Sequence, residues 1–104
     1  MTDYQIDPRV LDAIAHERKR QIAKWGAVND MSPSLWLMVL GEEFGECCNA
    51  ANGALLDDSD EGKLHLDAEL IQVAAVAISW LEERLRGMSL WEHERDAQAM
   101  GEWK

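Results

Sequence analysis

Both prolines of the chain stand directly after a helix-capping residue, as Asp7-Pro8 and Ser32-Pro33. Proline lacks the N–H that a helix interior needs, but the first helical position leaves that N–H unbonded anyway, so the pairing marks a helix start. The first segment then runs to about Lys24 with an imperfect apolar stripe of Val10, Leu11, Ile14, Ala15 and Ile22, and Gly26 ends it. In the second, Leu35, Trp36, Val39, Leu40, Phe44, Cys47, Cys48 and Ala51 recur at helical spacing to about Leu55. Nothing alternates with the period of a strand.

A polar stretch, residues 57–62, separates this from a third segment at about Lys63 to Arg86, where Gly87 is the stop. Leu66, Leu70, Val73, Val76, Trp80 and Leu85 cover more than one face of it, which predicts a central helix packed on several sides. A last helix is expected at about 89–101, mostly polar apart from Leu90, Trp91 and Met100. Trp91 and Trp103 there suit either a subunit contact or docking onto the bundle. With 104 residues and short connections, the prediction is one all-α domain over 1–104, a four-helix bundle with its core in about 8–86.

Twenty acidic residues against ten basic ones give a net charge of -10. Such a chain is poorly suited to nucleic acid, which is gripped by neutralising phosphates with Lys and Arg. No apolar run appears long enough for a bilayer, and Met1-Thr2-Asp3-Tyr4 does not resemble a secretion signal. The expectation is a cytoplasmic protein without a membrane partner. Cys47 and Cys48, the only cysteines, are adjacent and cannot form an ordinary staple, so both are expected as small buried thiols.

The chemistry-bearing residues are Glu42, Glu43 and Glu46, followed by Glu69. On a helix Glu43 and Glu46 lie about 60° apart and Glu42 and Glu46 about 40°, so one side gathers three carboxylates. Leu40, Phe44 and Cys47 flank them, which pushes part of the cluster towards the core. Acids in that position must gain a cation or take up protons, and Mg²⁺ or Mn²⁺ favours carboxylate oxygen. Glu69 sits in the most apolar segment and can face Glu43 and Glu46 if the two helices run antiparallel. A plainly solvated acidic surface is the alternative.

Glu43-Phe44-Gly45-Glu46 followed by Glu69-Leu70-Ile71-Gln72 resembles the E-x-x-E … E-x-x-D pattern of MazG-like all-α nucleoside triphosphate pyrophosphohydrolases, short phage and prophage members in particular. Glu17-Arg18-x-x-Gln21-x-x-Lys24-Trp25-Gly26 and Ala68-Glu69-Leu70-Ile71-Gln72-Val73 extend the likeness over about residues 10 to 86. The resemblance implies Mg²⁺-dependent hydrolysis of a nucleoside triphosphate to monophosphate and pyrophosphate, by a homodimer or homotetramer. It implies Glu43, Glu46 and Glu69 as metal ligands, with Glu42 as a further ligand or water-orienting base. Gln72 stands where the pattern has Asp and brings an amide oxygen without charge, and Asp67, about 140° away on the helix, does not replace it. A relative with impaired turnover, binding a nucleotide or another protein, is the other reading.

Lys24 and Trp25 fall where that family places substrate contacts, as a phosphate ligand and a stacking ring. The alternative is an exposed Lys24 and a core Trp25. Arg18, in a basic cluster with Lys19 and Arg20, suits either a phosphate clamp or surface ion pairs. Asn49 could read a base edge from beyond Glu46, and Asn52 either does so or caps the helix end.

Overall fold

The computed structural model describes residues 3–26 and 31–86, so the expected helix at about 89–101 lies outside the described residues. Three helices and no strand are found among them. Helix α1 spans Pro8–Trp25. Asp7 caps it by accepting the Arg9 N–H at 2.9 Å, and Gly26 closes it with φ 78°, a left-handed geometry that glycine adopts without strain.

Helix α2 spans Pro33–Asp57, capped by Ser32 Oγ accepting the Leu35 N–H at 3.2 Å. It ends at Asp58, whose φ of 47° reverses the chain. Helix α3 spans Asp60–Leu85 and begins three residues earlier than the sequence suggested. Ser59 Oγ accepts the Gly62 N–H at 3.0 Å, and Asp60 and Glu61 occupy the first turn, where they complement the positive end of the helix dipole. The acids that read as loop are therefore the opening of α3, and the link from α2 is only Asp58 and Ser59.

Because the link is that short, α2 and α3 form an antiparallel hairpin. Trp36 near the start of α2 stacks on Trp80 near the end of α3, with ring centroids 6.2 Å apart and planes 8° from parallel. Further along, Ala50 and Gly53 border the same depression as Gly62. Helix α1 runs parallel to α3: Val10 shares a groove with Asp67 and Leu70, while Arg18 pairs with Glu82. Helix α3 is thus central, as its composition predicts.

The buried apolar residues among those described are few and mostly small: Trp36, Cys47, Ala50, Ala75 and Val76. Small side chains let α2 and α3 approach closely, and one large ring, Trp36 at 3% exposure, fills the space towards α1. Phe44, expected in the apolar stripe, is 61% exposed. At about 100° per residue it lies some 80° round α2 from Trp36, whereas Glu43 and Cys47 stay within about 20° of it. Cys48 is likewise exposed while Cys47 is buried. Leu37, Met38 and Leu81 are also exposed.

Helix α3 is long and apolar enough, by length and composition, to cross a membrane, which inspection of its apolar runs did not suggest. Glu69 and Gln72 interrupt those runs in mid-helix.

Candidate metal centre

The rotation of α2 that buries Trp36 and Cys47 carries Glu43 with them, into the seam with α3. There Glu43, Glu46 and Glu69 each offer a carboxylate oxygen, and the three oxygens lie within 4.8 Å of one another. Glu43 and Glu69 are half-buried and Glu46 is exposed. Glu43 Oε2 and Glu69 Oε2 have neither solvent access nor a hydrogen-bond partner. The other Glu69 oxygen lies 3.4 Å from His65 Nε2, one turn back on α3.

Two orphaned oxygens from facing helices, with a third acid alongside, are an electrostatic conflict in the protein alone. Burial pushes the Glu43 carboxyl above its ordinary range, and the charges of Glu46, Glu69, Glu17 and Glu42 push the same way. Three carboxylates form a donor set that fits a hard divalent cation, and such a cation would satisfy both orphaned atoms. Asp67 lies on the other side of α3, facing α1.

Next to the acids a cleft of about 320 Å³ opens between the three helices. Glu42 and Glu43 line it from α2, Gln72 from α3 and Glu17, Arg18 and Arg20 from α1, while Trp25 and Trp36 supply aromatic surface. Gln72 therefore lines the same cleft as Glu43 and Glu42, outside the three acids that converge. Trp25 stands at the mouth, 62% exposed, so it is not a core residue. Lys24 Nζ lies 4.6 Å from the centre of the Trp25 ring, over its face. Asn49 is not in the cleft: it lines a separate depression with Glu61 and His65 at the hairpin end.

Two acids that carried no role in the sequence shape this cleft. Glu17 is buried at 9% exposure and accepts Arg20 Nε at 2.8 Å, Arg20 Nη2 at 2.7 Å and Gln21 Nε2 at 3.1 Å. Those donors, Arg20 first, hold its carboxyl below the ordinary range despite burial. The i+3 and i+4 spacing of Arg20 and Gln21 from Glu17 was the available signal. Glu83 accepts the Met31 N–H at 2.9 Å and the Trp36 indole N–H, tying the start of α2 to the end of α3. No local pattern could have paired residues so far apart in sequence.

Comparison of the chain with family models, with curated proteins and with solved structures finds no match in any of the three.

Proposed function

We propose that the protein is a divalent-metal-dependent hydrolase that cuts a nucleoside triphosphate to nucleoside monophosphate and pyrophosphate. The observation that carries the proposal is the convergence of Glu43, Glu46 and Glu69, two of them with orphaned oxygens, beside a cleft large enough for a nucleotide. The likeness of the Glu43–Glu46 and Glu69–Gln72 spacing to MazG-like enzymes supports it. A four-helix bundle of that type, assembled as a homodimer or homotetramer in the cytoplasm, belongs to the same proposal.

Glu43, Glu46 and Glu69 would hold the cation, and the Gln72 amide oxygen would be a neutral donor lining the same cleft. Mg²⁺, or Mn²⁺, supplies positive charge against the phosphates and makes a water more acidic. Glu42, exposed and bordering the cleft, would serve as the proton acceptor there. Trp25 at the mouth offers a face for a base, and the low-lying Trp36 keeps the inner wall apolar. For the rest, phosphoryl chemistry asks a protein chiefly for position and charge.

Gln72 favours one alternative, a protein that binds a nucleotide through this cleft without turning it over, since the fourth position adds no charge. Pyrophosphate release from a panel of ribo- and deoxyribonucleoside triphosphates, with Mg²⁺ and with Mn²⁺, decides between them. The enzyme reading predicts metal-dependent release that Glu46→Gln abolishes. Nucleotide binding without release, in protein that folds and takes up metal, would establish the binder instead.

A further inference from the structure

Two arginines border the cleft, and their surroundings differ. Arg18 directs Nε and Nη2 to Glu82, at 3.3 and 3.2 Å, and Nη1 to Gln21 Oε1 at 3.2 Å. Each of its terminal nitrogens already faces a protein acceptor, and the side chain is only 20% exposed. Lys24, the other cation suggested by the sequence, lies over Trp25.

Arg20 is held differently. Its Nε and Nη2 make a two-pronged contact with both oxygens of the buried Glu17, while no hydrogen bond among the described residues uses Nη1. A planar guanidinium fixed along one edge keeps its other edge in a set direction. About half of the side chain stays open to solvent, and it lines the cleft opposite Glu42 and Glu43. The charge of Glu43 is felt at Arg20, which places the guanidinium within electrostatic reach of the acid cluster.

We propose that Arg20 is the anion-binding group of this cleft, donating through Nη1 to a polyphosphate chain whose other end meets the cation held by Glu43, Glu46 and Glu69. Glu17 is its positioning residue: it fixes the guanidinium without touching the ligand. The assignment rests on the metal-dependent reading above in one respect, the cation. Glu17 and Arg20 together are neutral, so the cleft without a cation presents Glu42 and Glu43 to any anion, with Glu46 and Glu69 behind them. Polyphosphate therefore binds after the metal and depends on it.

The experiment is calorimetric titration of the full chain with inorganic tripolyphosphate, with and without saturating Mn²⁺. Wild type binds only with Mn²⁺. Arg20→Gln weakens that binding about tenfold or more, the worth of a hydrogen bond to a charged group. Arg20→Lys recovers part of the loss, and Arg18→Gln changes it little. Glu17→Gln weakens tripolyphosphate binding while leaving Mn²⁺ affinity near wild type, and adding it to Arg20→Gln costs little more. Arg20→Gln binding tripolyphosphate as wild type does, or wild type ignoring it in Mn²⁺, would overturn the assignment. If the binding pattern holds but no nucleoside triphosphate releases pyrophosphate, the hydrolase reading fails and the Arg20 assignment stands.

Discussion

Glu43 on α2 and Glu69 on α3 face each other across the hairpin, each with its Oε2 atom closed to solvent and unbonded. The pair makes the metal-free protein less stable than its packing alone would allow. Glu43→Gln removes one charge and gives an amide able to donate to Glu69. The metal-free variant should gain about 1 kcal/mol at neutral pH after allowance for solvent screening, roughly 4–8 °C in melting temperature. On the proposed metal site, Mn²⁺ should raise the melting temperature of wild type and not that of this variant. Thermal melts with and without Mn²⁺ check both; a destabilised metal-free variant would contradict this account of the seam.

The same group sets a pH dependence. Burial raises the Glu43 carboxyl, so the folded chain holds its proton more tightly than the unfolded chain does. The stabilisation is complete below the ordinary carboxylate value and is lost as pH rises through the raised one. Glu17 works in the opposite sense: its lowered carboxyl stabilises above the ordinary value, and that is lost as pH falls through the lowered one. Urea midpoints across the acidic range should show Glu43→Gln flattening the decline on the upper side and Glu17→Gln the loss on the lower side.

Trp36 combines a stack on Trp80 with an indole N–H donated to Glu83. Trp36→Phe keeps a ring and strands one oxygen of the Glu83 carboxylate, at a cost of about 1–3 kcal/mol. Trp36→Ala also leaves a cavity and costs about 3–5 kcal/mol, enough to unfold a small domain. Equal urea midpoints for Trp36→Phe and wild type would show that the Glu83 bond contributes nothing beyond the ring.

At the hairpin link, Asp58 holds φ at 47°, which carries strain for any residue with a side chain. Asp58→Gly should stabilise by about 1 kcal/mol, less whatever the exposed contact to Lys63 at 3.2 Å contributes. Ser59→Ala, losing the cap of α3, should destabilise by about 1 kcal/mol. Chemical denaturation gives both signs directly.

Restoring charge at position 72 tests the one departure from the acidic pattern. Gln72→Glu adds a carboxylate beside Glu42 and Glu43 and should tighten Mn²⁺ by about tenfold, or roughly 1.4 kcal/mol. Unchanged affinity by calorimetry would place Gln72 outside the cation's reach.

Local rules made much of the fold legible. Asp7-Pro8, Ser32-Pro33 and Gly26 mark helix ends through backbone chemistry that needs no tertiary context, and all three act where the sequence places them. The start of α3 was missed because a run of acids with a glycine reads as loop, although acids in a first turn are favoured by the helix dipole. Glu43, Glu46 and Glu69 were readable from helical spacing together with an antiparallel hairpin, and the structure brings them together. Glu17 and Glu83 were not, because their roles come from burial and from partners that folding supplies. Phe44 and Asn49 show the limit of periodicity: it groups residues on a helix but does not fix which neighbour covers which face.

The two-residue link between α2 and α3 leaves the hairpin no slack. Glu46 and Glu69 stand a fixed number of residues on either side of it, and of the intervening side chains His65 reaches Glu69. Apart from the buried Cys47 and Ala50, the side chains there have latitude in kind, yet not in number. One residue inserted in the second half of α2 would turn Glu43 and Glu46 by about 100° and shift them about 1.5 Å relative to Glu69. The stretch between them behaves as a ruler, and its length, more than its lettering, is what descent must keep for the acids to meet.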